Sequence, residues 1–183
     1  MNIKLLLVAL VASLTIQAFP INASAQGQYN EMTYRIPSAS YQAEGSSSRV
    51  SASLEYDDTT HALQSLDIEV PLYSFLNKYG GSYNYIAAYG GAASFPWMRF
   101  ESSRVEEKGD QVEIRGTLYF RGEYRPITIT ATRQEDKGTL NLYGDFRIHL
   151  RDYFMFAPAN YRIPSFIDVN FNLVFDISTP EAG

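Results

Sequence analysis

Few side chains in this sequence have the types and spacing that catalysis or metal binding requires. There are two histidines, His61 and His149, and no cysteine, which excludes the commonest zinc and iron–sulfur ligand sets. Asp57-Asp58 places two carboxylates in a polar turn, but a calcium loop needs more ligands at fixed offsets. No nucleophile elbow or zinc-binding motif is present. An enzyme such as a hydrolase is therefore the least favoured class of function, and no metal or cofactor is expected.

A larger group of candidate residues is apolar and could line a cavity. These residues recur at every second position of successive segments, so they share one face of each predicted strand. An apolar cavity stabilises a bound chain by roughly 0.8 kcal/mol for each CH₂ group that it buries. The predicted lining residues are Leu54, Ile68, Val70, Met98, Phe100, Ile114, Leu118, Ile129, Phe146, Phe171 and Leu173. The alternative is that they simply fill the interior, because inward strand positions are apolar in either case.

The segment 73–93 breaks this alternation and is rich in tyrosine and glycine. We predict one short helix here, between Gly80-Gly81 and Gly90-Gly91. Its tyrosines have flat apolar faces and polar tips, which suits the mouth of a cavity and the head group of a ligand. The candidates are Tyr79, Tyr83, Tyr85 and Tyr89. The alternatives are a surface that binds a partner or a glycan, and a cap that only closes the interior.

The elements that must position all these residues are antiparallel strands. Apolar and polar residues alternate from Val50 to Tyr56 and again from Leu66 to Leu72, and the polar turn 57–60 lies between them, which predicts a hairpin. Similar runs follow from Met98 to Ile177, separated by short glycine-containing turns. The 14 Tyr and 11 Phe also favour strands. The pattern predicts an all-β, antiparallel, up-and-down barrel of about eight strands, although a sandwich has the same alternation.

The first residues have the features of a secretory signal peptide. Lys4 precedes the apolar stretch Leu5 to Ile16, and Ala23-Ser24-Ala25 provides the small residues of a cleavage site. The apolar stretch is shorter than the roughly 20 residues that span a bilayer. We therefore expect cleavage after Ala25, a single domain over residues 26–183, and a periplasmic or secreted protein.

The charge of the chain limits its partners. The formal net charge is −5 and the sequence pI is about 5.0. An acidic protein does not neutralise phosphates, so nucleic acid is not an expected partner. Stable insertion into a membrane is not expected either, because no second long apolar run is present. Both a monomer and a homodimer are compatible with the sequence.

One part of the sequence resembles a known family. The run Phe95-Pro96-Trp97-Met98-Arg99-Phe100 and the hairpin from Val112 to Thr128 resemble the bacterial YceI-like family, whose pattern is "yP-x-I-x-F", a strand, then "L-x-x-R/H-G-v-T-k-p-v". Arg151-Asp152-Tyr153-Phe154 is similar to its "R-s-d-F" segment, and Val169 to Ile177 is similar to its closing strand. The charged segment that the family has before "yP" is replaced here by tyrosine and glycine.

The resemblance implies an exported, lipocalin-like antiparallel barrel that binds polyisoprenoid or another long amphiphilic lipid in an elongated lumen. The resulting prediction is a single YceI-like barrel domain over residues 26–183, with a short helical or loop insertion around 73–93. Its function would be to hold an apolar or amphiphilic ligand without catalysis. The alternative is a structural or interaction protein with a solid core, which uses the tyrosine-rich segment as a partner or glycan surface.

Overall fold

Alternation of apolar and polar residues produces one antiparallel sheet in this protein. The structure is a computed structural model, and it describes residues 21–26, 29–37, 42–57, 60, 62–79, 83–153 and 165–177. The strands are β1 (Ile21–Gln26), β2 (Glu31–Pro37), β3 (Gln42–Ser47), β4 (Ser51–Asp57), β5 (Ala62–Pro71), β6 (Leu76–Asn77), β7 (Trp97–Lys108), β8 (Gln111–Phe120), β9 (Glu123–Asp136), β10 (Thr139–His149) and β11 (Phe166–Asp176). The other described elements are the helix α1 (Tyr85–Gly90) and the 3₁₀ turns Leu72–Ser74 and Leu150–Tyr153.

The order of the strands shows how the sheet curls. Neighbouring strands are hydrogen-bonded in the order β1-β4-β5-β7-β8-β9-β10-β11-β2-β3-β6. β1, at one edge of the sheet, also lies against β11, the eighth strand in that order. The sheet therefore curls round on itself into a lipocalin-like half-barrel, which confirms the predicted all-β antiparallel class.

The sheet has 11 strands, more than the predicted number of about eight. Two of the additional strands explain part of the difference. β6 is only two residues long, too short for an alternating pattern to be recognised. β1 comes before the residue at which the sequence predicts the domain to start.

The predicted cleavage boundary lies inside β1. The backbone of this strand pairs antiparallel with β4, from Ile21 opposite Tyr56 to Gln26 opposite Ser51. Cleavage after Ala25 would leave only Gln26 of this strand and would expose the hydrogen-bonding edge of β4. A chain that is cleaved after Ala25 therefore cannot form strand β1.

The hairpin turns follow the predicted turn residues. Arg121 and Gly122 join β8 to β9 with φ angles of 54° and 82°, and Lys137 and Gly138 join β9 to β10 with φ angles of 49° and 80°. Two successive positive φ angles are typical of type I′ turns, whose twist matches that of the flanking strands. Glycine at the second position tolerates this conformation without strain.

The sheet has a bulge beside Gly116. The register between β7 and β8 shifts between Ser102 and Arg104, and Ser102 is the partner of Gly116. A bulge increases the local twist of the sheet. This irregularity helps β7 and β8 to follow the curvature of the half-barrel.

The short helix predicted in the segment 73–93 is present as α1. Asn84 caps its first turn, because its Oδ1 accepts a hydrogen bond from the Ala87 amide at 3.0 Å. Gly91 ends it in the left-handed conformation, with a φ of 64°. The helix closes one end of the half-barrel, since a Cβ on Gly90 would lie 2.4 Å from Leu72 and 3.0 Å from Phe120.

Candidate functional site

The inner face of the curled sheet is apolar throughout its centre. Strands β2, β5, β7, β8 and β10 contribute the residues that surround a small cavity, which we call the lumen. Its lining residues are Met32, Ile68, Val70, Met98, Phe100, Leu118 and Phe146. The cavity measures about 10 Å³, close to the space that one water molecule needs. In this conformation the lumen is filled by its own side chains.

The sequence located most of this lining correctly. Six of the seven lining residues were predicted from the alternating pattern. The other inward residues of the prediction are buried in the same core without facing the cavity: Leu54, Ile114, Ile129, Phe171 and Leu173. Met32 was missed, although it alternates with Tyr34 and Ile36 along β2. The contact of the predicted lining residues with a ligand stays a prediction.

Two phenylalanine rings occupy space that glycines leave free on the inner face. Phe171 is the direct cross-strand partner of Gly144, and its Cζ lies only 2.2 Å from where a Cβ on Gly144 would be. Phe100 covers Gly116 in the same way, with two ring carbons 2.6 Å from the position of a Cβ. A ring that lies over a glycine packs directly on the backbone of the sheet, in the space that a side chain would otherwise occupy. Of the two rings, Phe100 lines the lumen directly, and Phe171 packs in the core beside it.

The cap at one end of the lumen consists of the 3₁₀ turn Leu72–Ser74, α1 and their connections. The side-chain amide of Asn84 donates hydrogen bonds to the carbonyls of Leu72 at 2.9 Å and Phe75 at 3.0 Å. Arg121 Nη1 donates to the carbonyl of Tyr89 at 3.0 Å, near the C-terminus of α1. These polar contacts hold the cap to the barrel and leave its inner side apolar.

Two buried tyrosines pack against phenylalanines at the cap end of the barrel. The ring of Tyr34 meets Phe75 edge to face at 5.5 Å, and the ring of Tyr153 meets Phe120 in the same way at 5.4 Å. Both hydroxyls are buried and accept or donate no hydrogen bond of full geometry among the described residues, although the backbone of Tyr85 and Ile86 comes near the Tyr34 hydroxyl. Burial raises the pKa of both phenols, and for Tyr34 the backbone amides of Tyr85 and Ile86 partly offset this shift. Two polar atoms are thus available next to the apolar lumen.

The predicted tyrosines of the mouth do not line the lumen. Tyr83 is more than half exposed on the outside of the cap, and its ring packs edge to face against Tyr85 at 4.6 Å. Tyr85 is partly buried against the core. The contact of Tyr83 and Tyr85 with a ligand head group also stays a prediction, and the tyrosines that are fully buried at this end are Tyr34 and Tyr153.

A charged cluster lies at the opposite end of the barrel, and no sequence pattern predicted it. Arg133 donates hydrogen bonds to Glu107 at 3.0 Å and to Glu135 at 2.7 Å. Its guanidinium lies over the ring of Tyr56 at 5.5 Å. Glu107 also accepts from the backbone amide of Leu63 at 2.7 Å. The cluster joins the hairpin of β4 and β5 to β7 and β9, which come tens of residues later in the sequence.

Two negative findings apply to the part of the chain that the structure describes. No group of three or more His, Cys, Asp or Glu residues is placed to hold a metal ion there. No helix in the same residues is long and apolar enough to cross a membrane. His149 is exposed at the end of β10, and His61 lies outside the described residues.

Three solved structures share this fold. The crystal structure of Burkholderia cenocepacia BcnA is 19% identical, covers 79% of this chain and 95% of its own, and superposes with a TM-score of 0.68. The Campylobacter jejuni YCEI protein is 16% identical, with coverages of 95% and 89% and a TM-score of 0.58. A polyisoprenoid binding domain from Saccharophagus degradans, implicated in plant cell wall breakdown, is 13% identical, with coverages of 85% and 98% and a TM-score of 0.59.

The sequence comparison identifies the family. No curated protein is significantly similar in sequence to this chain. The model of the YceI-like domain matches residues 22–178, which are most of the chain and contain every strand from β2 to β11. This match agrees with the resemblance around Phe95 to Thr128 and with the curled antiparallel sheet. The chain therefore belongs to the YceI-like domain family.

Proposed function

We propose that this protein is an exported, non-catalytic carrier that holds a long apolar or amphiphilic lipid, of the isoprenoid type, inside the lumen. The observation that carries the proposal is the lumen itself, whose seven lining residues are all apolar. The family supports it, as does the fold shared with a polyisoprenoid binding domain. Each CH₂ group that moves from water into such a lumen contributes roughly 0.8 kcal/mol.

The small volume of the cavity means that a ligand has to displace side chains. Met32 and Met98 line the cavity, and methionine adapts its shape at low cost because it is unbranched. Phe100 and Phe171 lie over glycines, so their rings are not held from below by another side chain. Rotation of these side chains would lengthen the cavity along the inner face. The hydroxyls of Tyr34 and Tyr153 would then be available to the polar end of the ligand.

The first experiment is native mass spectrometry of the protein purified after export from a bacterial host, followed by solvent extraction. A discrete added mass that is extracted as a lipid is the expected result and identifies the ligand class. An apo mass that does not change after incubation with isoprenoid quinones and isoprenoid phosphates would contradict the proposal.

A matched pair of variants on β8 tests whether the ligand lies in the lumen. Leu118 lines the cavity, whereas its neighbour Thr117 is exposed on the outer face. Leu118→Phe adds more volume than the cavity offers, so ligand affinity should fall about tenfold. Thr117→Phe adds a ring outside the lumen and should leave the affinity unchanged. Equal affinities of the two variants would place the ligand elsewhere, and circular dichroism checks that both fold.

The alternative of a solid interaction barrel is favoured by one observation, the cavity of only about 10 Å³. In that case the exposed tyrosines of the cap would bind a protein or a glycan. The two functions differ in the mass experiment, because a solid barrel yields no extractable lipid.

A further inference from the structure

The exposed side of the cap has an unusual surface. Four large apolar or aromatic side chains are exposed there within a short segment, and we call them the cap patch: Tyr73 (64% exposed), Leu76 (74%), Tyr79 (55%) and Tyr83 (57%). A contiguous exposed apolar surface on a water-soluble fold marks an interaction site more often than scattered single residues do.

Hydrogen bonds of Asn77 hold three of the four members of the cap patch together. Asn77 Nδ2 donates to the carbonyl of Tyr83 at 3.2 Å, and its Oδ1 accepts from the amide of Tyr79 at 2.9 Å. Leu76 is its neighbour in β6, which pairs with β3. Leu76, Tyr79 and Tyr83 are therefore held next to one another, and Tyr73 is the fourth exposed side chain of the same segment.

The charge of the cap patch differs from that of the remaining chain. The chain has 20 acidic residues, but none lies between Glu69 and Glu101. Lys78 is the charged residue inside the cap patch, and it forms an ion pair with Glu44 at 2.8 Å. The Lys78 ammonium lowers the pKa of the Glu44 carboxyl. Both groups therefore stay ionised, and their opposite charges cancel. The cap patch is thus an uncharged aromatic surface on an acidic protein.

We propose that the cap patch docks onto the neutral headgroup surface of a lipid bilayer, and that the lumen exchanges its ligand there. The second part rests on the proposed carrier function. Tyrosine suits this position because its ring enters the apolar side of the interface while its hydroxyl stays among the headgroups. An acidic protein is repelled by anionic lipid, so the uncharged surface is the one that can approach a bilayer.

The position of the cap patch connects docking with the lumen. Tyr83 contacts Tyr85, the first residue of α1, and α1 covers Leu72 and Phe120 at the end of the barrel. Asn84 lies between Tyr83 and α1 and holds the helix to the carbonyls of Leu72 and Phe75. A bilayer that binds Tyr83 therefore acts next to the contacts that hold the cap to the barrel.

Sedimentation with neutral phosphatidylcholine vesicles tests the docking directly. The wild-type protein should partition onto the vesicles, and high salt should change this binding little because apolar contact drives it. Tyr79→Ser combined with Tyr83→Ser should weaken the partition coefficient at least about tenfold, since each ring withdraws on the order of 50 Å² from water. Tyr73→Ser alone should weaken it less.

Two exposed tyrosines outside the cap are matched controls for the same substitution. Tyr29 precedes β2 and is 75% exposed, and Tyr143 lies on the outer face of β10 and is 45% exposed. Tyr29→Ser and Tyr143→Ser should partition like the wild type. Thermal unfolding checks that all variants fold, which is expected because the changed side chains are exposed.

Several results would overturn the docking. These are a wild type that stays in the supernatant, a Tyr79→Ser/Tyr83→Ser variant that binds like the wild type, and binding that requires anionic lipid. A cap patch that binds a protein or a glycan instead would give the first of these results.

Native mass spectrometry of the same samples separates the docking proposal from the carrier function. Vesicle binding without any extractable lipid would refute the carrier function and support docking. Extractable lipid without vesicle binding would support the carrier function and refute docking.

Discussion

The pair of Gly144 and Phe171 allows a quantitative test of how tightly the lumen is filled. In Gly144→Ala the new Cβ would lie 2.2 Å from Cζ of Phe171 and 2.7 Å and 2.8 Å from its Cε atoms. Ordinary carbon contacts begin at about 3.5 Å, so the ring has to retreat by roughly 1 Å. The lumen offers only about 10 Å³ to receive it.

The expected cost follows from two opposing terms. Overpacking of a filled core typically costs about 1–3 kcal/mol. The change from glycine to alanine also lowers the conformational entropy of the unfolded chain, which stabilises the folded state by about 0.4–1 kcal/mol. The net loss in the free energy of unfolding should be about 1–2 kcal/mol, which corresponds to a melting temperature lower by about 3–8 °C for a domain of this size.

Thermal and urea unfolding, followed by circular dichroism, measure this loss. Gly116→Ala is an informative comparison, because its Cβ would lie 2.2 Å from the backbone carbonyl oxygen of Glu101, which cannot rotate away. It should be destabilised more than Gly144→Ala. Asp145→Ala, at the exposed neighbour of Gly144, should stay within about 0.5 kcal/mol of the wild type. Unchanged stability of Gly144→Ala would refute the reasoning and would show that the ring of Phe171 moves freely.

Three further predictions concern the buried phenols, the cap and the N-terminus. Tyr153→Phe should raise the free energy of unfolding by about 1 kcal/mol at neutral pH, because it removes a buried hydroxyl that has no partner in the part of the chain that the structure describes. Since burial raises the folded-state pKa of Tyr34 and Tyr153, the wild type should lose stability as the pH rises above about 10, where the unfolded phenols ionise. This loss should be smaller in Tyr153→Phe, and equal pH profiles in urea unfolding would contradict it. Asn84→Ala should speed hydrogen exchange in α1 and cost about 1–2 kcal/mol, because it removes the N-cap and two further hydrogen bonds. Asn84→Asp keeps the capping acceptor and should be intermediate. The intact mass of the exported protein should correspond to a chain that begins at Gln26, and a chain that retains Ile21 would show that β1 is kept.

The sequence by itself determined the class of the fold and most of the inner face. Alternation with a period of two assigns each side chain to one face of a strand, so residues such as Ile68, Phe100 and Leu118 could be placed inward without coordinates. Glycine-containing turns such as Arg121-Gly122 divided the strands, because positive φ angles are costly for other residues. Local patterns of this kind act over a few residues and are therefore visible in the sequence.

Contacts between distant residues were decided only in the tertiary structure. The alternation is the same for a filled and for an open barrel, so the volume of the lumen depends on how side chains such as Phe100 pack, here over Gly116. The cluster of Arg133 with Glu107 and Tyr56 joins strands that are separated by tens of residues. The exposure of Tyr83 depends on the position of α1. Asn84 holds this helix to the carbonyls of Leu72 and Phe75, which follow β5. The curvature of the sheet brings these groups together, and curvature is a property of all the strands at once.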